Sequence, residues 1–285
     1  MKCERPMAAS GAFRADGGAT RRGEMRVKFG LWPLLLLFLF SSCQSINRTA
    51  AEVGLPGNVV IFSFDDGPDA LATARLLDVL KRHEIRALFC LLGENAERYP
   101  ELVRRIHAEG HYIVNHGHSD RFAVRMGAEE FRIELGLARG AISSALGFEP
   151  HPRLYRPHGG FYRARHERIW LEEGYVLVPA TIRLQDAVAA ARSRDRIVRR
   201  TIREVERRGG GIILLHDGRG THYGRERGLR RNPQGAFNRA WVPDAVEEII
   251  VALIDRGFVL NGFDVLGAIG IGSPPGPQAE GFLPD

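Results

Sequence analysis

The sequence has few cysteines and no extended hydrophobic segment. Only three cysteines, at positions 3, 43 and 90, occur among 285 residues, and they indicate no disulfide framework. The apolar run Leu31 to Phe40 is too short for a comfortable membrane span. Zinc-finger spacings, nucleic-acid motifs and internal repeats are also lacking. The formal net charge of +6 therefore does not by itself imply nucleic acid, and it is compatible with an anionic envelope surface.

The N-terminal region has the layout of a secretory signal. A short cationic start, Met25 to Lys28, precedes the apolar run, and Ser41-Ser42-Cys43 follows it. The segment resembles a bacterial lipoprotein signal, in which Cys43 would be lipidated and become the mature N-terminus. An uncleaved N-terminal anchor is the alternative. The acidic residues before position 25 do not suit a signal, so we expect translation to begin at Met25. We predict an exported protein, anchored on a membrane of the bacterial cell envelope.

The rest of the chain predicts an α/β domain. Strand-like apolar runs alternate with amphipathic helical stretches over residues 58–266, as in βα units around a parallel sheet. These runs are 58–64, 86–92, 111–115, 153–156, 175–180, 211–215 and 258–261. About seven parallel strands fit a distorted or incomplete (β/α) barrel better than an open sheet. Residues 1–43 are predicted as the signal region, 44–57 as a polar linker and 267–285 as a flexible tail.

Two adjacent carboxylates end the first strand of this domain. Val59 to Phe64 is typical of a strand buried on both faces, and Asp65-Asp66-Gly67-Pro68 ends it. In α/β folds, ligands bind at the carboxyl ends of the strands. Neighbouring carboxylates repel each other unless a cation or hydrogen bonds compensate. One of them could therefore bind a metal while the other acts as a base; an ordinary acidic turn is the alternative.

Polar clusters follow three further predicted strands. The turn from Asn115 to Asp120 holds two imidazoles and a carboxylate, a set that suits a divalent transition metal. The run Arg156 to Gly160 offers an arginine that can hold a carboxylate and a glycine turn whose N–H groups can face an oxyanion. The strand 211–215 delivers His216, an imidazole that can protonate a leaving amine. Taken singly, a polar surface loop, a structural arginine and a core histidine are the alternatives.

The order of these clusters resembles the motifs of the polysaccharide deacetylases, the carbohydrate esterases of family four with a NodB-homology domain. Ser63 to Pro68, the Arg156-Pro157 pair with its glycine turn, and His216 match well. The second motif matches by half, because Asp120 stands where the family has a second histidine. The fourth matches poorly, because Ala187 stands where Trp commonly follows the motif's aspartate. The resemblance spans about residues 58–263.

The resemblance implies a role for each of these residues. The catalytic set holds the base, its arginine partner, an oxyanion-hole N–H, the general acid and the aspartate that orients the acid: Asp65, Arg156, Gly159, His216 and Asp186. The metal set is Asp66 and His116 with Asp120, or with His118 in its place. Zinc follows from the resemblance, whereas the hard ligand Asp120 leaves cobalt, nickel, manganese and iron open.

We therefore predict a metal-dependent hydrolase that removes N-acetyl groups from an N-acetylated cell-envelope or extracellular polysaccharide. One alternative is a catalytically impaired glycan-binding relative, which Asp120 and Ala187 suggest. The other is an esterase for O-linked acetyl groups, because that reaction needs the same side chains. The expected partners are a polysaccharide or oligosaccharide substrate and a membrane, reached through a lipid anchor or the N-terminal segment, and not nucleic acid.

A long arginine-rich loop, residues 219–241, follows His216. Loops of this length are often functional or disordered. We expect it either to form a wall of the substrate cleft or to be a mobile, solvated loop. Its aromatic and histidine side chains could stack on sugar rings: His222, Tyr223, Phe237 and Trp241.

Overall fold

The computed structural model describes residues 43–261, so most of the predicted signal region and the predicted tail lie outside it. The strands are β1 (Cys43–Ser45), β2 (Val60–Gly67), β3 (Leu88–Leu91), β4 (Tyr112–Asn115), β5 (Leu154–Tyr155), β6 (Phe161–Arg163), β7 (Val176–Leu177), β8 (Ile182–Arg183) and β9 (Gly211–His216). The α-helices are α1 (Thr73–Arg82), α2 (Gly93–Arg98), α3 (Pro100–Ala108), α4 (Ala128–Leu146), α5 (Ala164–Glu172), α6 (Arg194–Arg208), α7 (His222–Arg231) and α8 (Val242–Ile254). None of these helices has the length and apolar character that crossing a membrane requires.

Seven parallel strands form one sheet in the order β7-β5-β4-β3-β2-β9-β8. The sheet curls, and β7 and β8 are its edges, so the barrel is open between them. The predicted fold, an incomplete (β/α) barrel with about seven parallel strands, is confirmed. All seven strands of this sheet run in the same direction, so their carboxyl ends meet at one rim.

One of the seven strands differs from the prediction. The run 258–261 contributes a single bridge, between Val259 and Val59. The seventh strand is instead β8, in which Ile182 is buried and lies opposite Ile213 of β9. Ile182 and Arg183 follow the predicted run 175–180 almost directly, so the sequence does not mark β8 as a separate strand.

Strand β2 separates two apolar layers. Phe62 and Phe64 belong to the layer that packs β2 against α1 and α8, whereas Ile61 belongs to the layer that fills the barrel interior. Because side chains alternate along a strand, Asp65 lies on the same face of β2 as Ile61, the face toward the barrel interior. The alternation therefore brings the Asp65 carboxylate to the mouth of the barrel.

The segment predicted as a linker packs against the domain. Strand β1 pairs with β6 in an antiparallel ribbon, and Ile46 lies beside Tyr155 and Tyr162 in an apolar cluster. Val53 and Leu55 are also buried, in the interior layer of the barrel. These scattered apolar residues form no periodic pattern, so the sequence alone gives the segment a polar character. The packed domain begins before position 58.

Candidate active site

Asp65 and Asp66 end β2 at a bulge. Asp65 lies opposite Cys90 of β3 but Gly67 lies opposite Leu91, so Asp66 is an extra residue in β2. Its φ of 68° is in the left-handed region, which Asp tolerates better than most residues. Successive side chains of a regular strand point to opposite faces, and a bulge re-aims one of them. Both carboxylates consequently approach the same imidazole, that of His116.

Neighbouring polar and backbone groups fix the bulge. Asn95 of α2 donates a hydrogen bond of 2.9 Å to the Asp66 carbonyl and one of 3.0 Å to the Gly220 carbonyl. A Cβ at Gly218 would lie 2.0 Å from the Asp66 carbonyl oxygen. Only glycine allows the two backbone segments to come this close.

Arg156 holds the Asp65 carboxylate. Its Nη1 donates to Asp65 Oδ1 at 2.6 Å and to Ser63 Oγ at 2.9 Å. The guanidinium is fully buried and also donates to the carbonyls of Val178 and Pro179. Burial alone would raise the pKa of Asp65, but the charge of Arg156, with help from His116, holds that pKa below its usual value. The arrangement keeps Asp65 ionised and oriented.

Asp66, His116 and His158 form a buried group whose ligand atoms all lie within 4.8 Å of one another. Asp66 Oδ1 is 3.5 Å from His116 Nε2 and 3.4 Å from His158 Nε2. His116 Nδ1 lies 2.7 Å from the Arg156 carbonyl oxygen. Since a carbonyl only accepts hydrogen bonds, the proton of the neutral ring is on Nδ1. The lone pair of Nε2 is then free to bind a metal on the side that faces Asp66.

The donor set of this group fits a divalent cation. Asp66 Oδ1 is buried, and within the described part of the chain it faces two imidazoles but accepts no hydrogen bond of regular geometry, a costly state that a bound cation would relieve. Two ligand atoms at about 2.1 Å from a tetrahedral zinc lie roughly 3.4 Å apart, close to the separations found here. One carboxylate and two imidazoles suit zinc and other first-row transition metals alike.

The surroundings of His158 favour its positively charged form, in which both ring nitrogens carry a proton. Burial alone would lower its pKa, but the carboxylates of Asp120, at 3.1 Å, and Asp66 raise the pKa of His158 to about 10. Burial alone would raise the pKa of Asp66. The neighbouring His116 and His158 outweigh burial and leave that pKa well below its usual value. The negative charges that hold the proton would equally attract a divalent cation in its place.

A second set of charged residues, Arg239, Asp186 and His216, is connected by hydrogen bonds. His216 Nδ1 lies 2.9 Å from Asp186 Oδ1, and its backbone N–H donates to Asp186 Oδ2 at 2.9 Å. Burial opposes the charged imidazole, but Asp186, with smaller effects from Asp66 and Asp65, raises the pKa of His216 above its usual value. Burial would likewise raise the pKa of Asp186, yet His216 and Arg239 keep it lowered. The pair therefore favours the protonated form of the imidazole at the carboxyl end of β9.

Both arrangements open into one cleft of about 710 Å³. Asp65, Asp66 and His216 line it together. Gly159 also lines it with φ of 79°, and a Cβ there would lie 2.5 Å from the Phe122 ring. The cleft thus joins an ionised carboxylate, a donor set that fits a divalent cation and an imidazole whose protonated form is favoured, which is an arrangement for acid–base hydrolysis.

Comparison with known proteins gives the family. The family model described as "Polysaccharide deacetylase" matches residues 52–178. A chitooligosaccharide deacetylase from Bradyrhizobium sp. is 32% identical over 217 residues, which are 76% of this chain and 94% of that protein. The chain belongs to the polysaccharide deacetylase family. The predicted family is thereby confirmed, and the predicted enzyme class, a hydrolase, is that of the family.

Other polysaccharide deacetylase relatives cover similar shares of the chain. A peptidoglycan-N-acetylglucosamine deacetylase from Bacillus cereus is 31% identical over 200 residues, 70% of this chain and 64% of the relative. The chain thus spans less than two thirds of that relative's length. The solved structure of a family 4 acetyl xylan esterase from Clostridium thermocellum, in complex with a cobalt ion, has a TM-score of 0.58 and 25% identity, covering 76% of this chain and 94% of that one.

The structure rearranges the ligand set expected from the polysaccharide deacetylase motifs. His118, an expected alternative ligand, packs against Gly93 of α2, where a Cβ would lie 2.3 Å from His118 Nδ1. Asp120 lies beside the group rather than in it and pairs with His158. Asp66 and His116 come together as expected, and His158 completes the group. The turn after His116 is not helical, so the spacing of four does not place Asp120 on the face of His116.

Two residues of this polysaccharide deacetylase site were not foreseen in the sequence. His158 lies in the run Arg156 to Gly160, and the signal in the sequence is a histidine that directly follows an arginine–proline pair at a strand end. Arg239 was one arginine among several in the loop 219–241. It is fully buried, and its Nη2 donates to Asp186 Oδ2 at 2.6 Å and to the His216 carbonyl at 2.7 Å.

The loop 219–241 is attached to the domain by buried charged side chains. It contains α7, and Arg225 forms a buried ion pair with Asp69. Arg219 lines the cleft, as expected for a cleft wall. The Trp241 ring lies 4.9 Å from the Arg239 guanidinium and is buried, so it packs in the domain and not on a sugar. The side chains of His222 and Tyr223 lie outside what the structure describes.

Proposed function

We propose that the protein is a metal-dependent hydrolase that removes N-acetyl groups from an N-acetylated cell-envelope or extracellular polysaccharide. One observation carries this proposal: the Asp65–Arg156 pair, the Asp66–His116–His158 group and His216 with Asp186 share one cleft. Membership of the polysaccharide deacetylase family supports it. The relatives named above act on chitooligosaccharides or peptidoglycan by their names, so the glycan itself is part of the proposal.

Asp66, His116 and His158 are the residues that would hold the metal. A divalent ion bound there supplies Lewis-acid polarisation of the acetyl carbonyl and a more acidic water. We propose zinc as the resident ion. The carbonyl of Arg156 keeps the His116 ring in the tautomer that presents Nε2. Asp120 restrains the His158 ring from the solvent side.

Asp65 is the proposed general base. Arg156 occupies its Oδ1, while Oδ2 faces the cleft 3.6 Å from His116 Nε2. Because the pKa of Asp65 is lowered, the carboxylate is ionised at neutral pH and can accept a proton from the attacking water. The Arg156 bond also prevents the carboxylate from rotating away as it takes up that proton.

His216 is the proposed general acid. Asp186 fixes its ring through Nδ1, so Nε2 is the nitrogen that can give a proton to the leaving amine. The Gly159 N–H is proposed to stabilise the tetrahedral oxyanion. Breakdown of that intermediate cleaves the carbon–nitrogen bond, acetate departs, and the protonated nitrogen leaves as the sugar amine.

The assignment is tested with Asp65→Asn and His216→Ala. Each is expected to lower kcat for acetate release from N-acetylglucosamine oligomers by about 10²- to 10⁴-fold, with a cooperative thermal unfolding transition retained. Asparagine keeps an oxygen for Arg156, and Asp186 keeps Arg239 as a partner in His216→Ala. Asp244→Asn, an exposed carboxylate on α8, is the matched control. Turnover within threefold of wild type in either active-site variant would contradict the proposal.

The second candidate function is removal of O-linked acetyl groups. The likeness to an acetyl xylan esterase favours it, and ester cleavage would use the same base, metal group and oxyanion N–H. An alcohol leaves more easily than an amine, so the esterase depends less on His216. Comparing kcat/KM on N-acetylated and O-acetylated sugars decides between the two: a preference for the ester by tenfold or more would replace the deacetylase proposal.

We also propose that the protein is exported and held on the cell-envelope membrane through lipidated Cys43. Cys43 is exposed at the beginning of β1, which is compatible with modification. Metabolic labelling with a radioactive fatty acid tests this: label is expected in the wild-type chain and not in Cys43→Ser. Equal labelling of the two chains, or no labelling of either, would contradict lipidation.

A further inference from the structure

The substrate cleft is lined by arginines that the catalytic scheme does not use. Arg183, Arg200 and Arg219 belong to its walls. Among the described residues that line it, the acidic side chains are Asp65 and Asp66. Asp65 is already paired with Arg156, and Asp66 belongs to the metal group. The walls beyond the catalytic centre are therefore positively charged.

Arg183 is held in place but has no counter-ion among the described residues. A Cβ at Gly160 would lie 3.1 to 3.2 Å from its guanidinium atoms, so the group rests directly on that glycine. Its Cζ lies 5.8 Å from the centre of the Phe161 ring, and Nη1 donates a long bond of 3.4 Å to Asn47 Oδ1. Within residues 43–261 no carboxylate lies in ion-pair range of Arg183. Burial lowers the pKa of Arg183, and the nearby charge of Arg156 adds to this effect, while the charge of Asp65 only partly opposes it.

A partly buried cation without an ion-pair partner is costly, and an anion in the cleft would offset that cost. The planar guanidinium is oriented by the glycine and the ring, so its N–H fork is preset for a carboxylate. Arg219 adds a second incompletely partnered group. Its Nε is buried without a hydrogen-bond partner in the described range, and its nearest carboxylate oxygen, Asp66 Oδ2, is 3.9 Å away.

We propose that the cleft selects a glycan in which the N-acetylated sugar carries or adjoins a sugar-borne carboxylate, and that Arg183 is the main residue that binds it. The carboxylate is that of a uronic acid or of a lactyl ether on the sugar. This specificity rests on the proposed deacetylase function. Arg219, and the exposed Arg200 on α6, add positive charge around the same anion.

The test compares kcat/KM for acetate release from three oligomers of equal length. One is an N-acetylglucosamine oligomer, one alternates N-acetylglucosamine with glucuronate, and one alternates it with N-acetylmuramic acid. Wild type is expected to favour one or both acidic oligomers by about tenfold, the size of a single charged hydrogen-bond contact. Which acidic oligomer is preferred separates the two carboxylate sources.

Arg183→Gln is expected to bring the acidic-to-neutral ratio close to one, and Arg183→Lys to retain part of the preference. Arg199→Gln is the matched control, because Arg199 is exposed on α6 next to Arg200 but does not line the cleft. The ratio should survive in this control. Raising the salt concentration should lower the ratio in wild type and not in Arg183→Gln. A wild-type ratio near one, or an unchanged ratio in Arg183→Gln, overturns the proposal.

Binding without turnover separates this proposal from the proposed activity. Calorimetric titration of the Asp65→Asn variant with the three oligomers measures affinity alone. Tighter binding of an acidic oligomer, lost in Asp65→Asn/Arg183→Gln, supports carboxylate selection even if wild type releases no acetate, in which case the deacetylase function fails by itself. Acetate release with equal affinity for all three oligomers leaves the function standing and removes the specificity.

Discussion

Arg239 anchors the pair formed by the proposed general acid and its aspartate. Besides its bonds to Asp186 Oδ2 and the His216 carbonyl, it donates through Nη1 to the Asp186 carbonyl at 3.0 Å. It is fully buried, and the charge of Asp186 partly offsets the burial that lowers the pKa of Arg239. We interpret Arg239 as a positioning residue, since it reaches the reacting atoms only through Asp186 and His216.

Arg239→Met is expected to lower kcat by about 10- to 100-fold with KM nearly unchanged, as is common when an outer partner of an active-site group is lost. Arg239→Lys should recover part of the loss, because it restores the charge but not the fork. The Nδ1–H proton resonance of His216 reports the effect directly and should shift or broaden in Arg239→Met. Arg231→Met, at an exposed site on α7, serves as the control. An unshifted resonance with reduced kcat would point to a purely structural role.

The pH dependence of activity should depend on Asp186. The groups that act on His216 are Asp186, Asp66, Asp65 and the adjacent Arg239. The general acid must be protonated, and Asp186 raises the pKa of His216 above its ordinary value of 6.5. Activity therefore falls as pH rises through that raised pKa. Asp186→Asn removes the negative charge and should move this alkaline limb of kcat/KM to lower pH. A limb that stays in place or moves upward would contradict the assignment.

The reactive residues could be predicted from the sequence wherever they end an apolar strand. Asp65 and His216 follow long buried runs, and parallel strands must bring their carboxyl ends to one rim. The neighbours of His158 in the chain carry no other ligand, so the local sequence does not mark it as one. Its place in the metal group depends on its distances to Asp66 and Asp120, which only the folded chain defines.

At the scale of elements, the bulge at the end of β2 depends on the turn after β9. Gly218→Ala should put a Cβ against the Asp66 carbonyl, which Asn95 already fixes. We expect a loss of about 1–3 kcal/mol in the free energy of unfolding, as in other overpacked sites, together with weaker metal binding because Asp66 moves.

Gly140→Ala is the matched control, in which the same substitution is expected to raise the free energy of unfolding rather than lower it. Gly140 is exposed inside α4, and a Cβ there meets nothing within 4 Å. Alanine should therefore raise the free energy of unfolding by about 0.5–1 kcal/mol through its better helix propensity. Chemical denaturation of both variants checks the pair. Equal stability changes in the two would show that the contact with Asp66 is not decisive.

Long elements show a period in the sequence, whereas the two-residue strands β5 and β7 are predictable only because they lie inside the strand-like runs 153–156 and 175–180. Strand β2 has eight buried residues, and α6 repeats its apolar residues over four turns. By contrast β1 and β8 have three and two residues. Their pairing depends on long-range partners, Arg163 for Cys43 and Ile213 for Ile182, which leave no local pattern in the chain.

At the scale of the whole molecule, the cleft combines contributions from distant parts of the sequence. Ile46 and Asn47 line it next to Phe161, and β1 begins three residues before Ile46. A lipid on Cys43 would therefore lie within about 10 Å of chain from the cleft wall. If the proposed lipidation holds, the protein acts on glycan close to the membrane surface rather than at the end of a long tether.

The arginines of the active-site region have two different roles: some hold catalytic carboxylates, and others line the cleft. Arg156 and Arg239 are fully buried and paired with Asp65 and Asp186, whereas Arg183 lines the cleft and forms no ion pair with a described carboxylate. The count of arginines in the sequence did not distinguish these roles, because a buried clamp and a substrate-binding residue look the same in composition. The distinction follows from the partners that the fold provides.

The central claim is that Asp66, His116 and His158 hold a divalent metal on which deacetylation depends. The most direct measurement strips the chain from Gln44 onward with a chelator and titrates it with zinc, cobalt, nickel, manganese or iron(II). Bound metal per chain and acetate release from N-acetylglucosamine oligomers are followed together for wild type, His158→Ala and His118→Ala. We expect one metal per chain and metal-dependent release in wild type and in His118→Ala, and loss of both in His158→Ala. Undiminished metal binding in His158→Ala, or acetate release that needs no metal, would contradict the account.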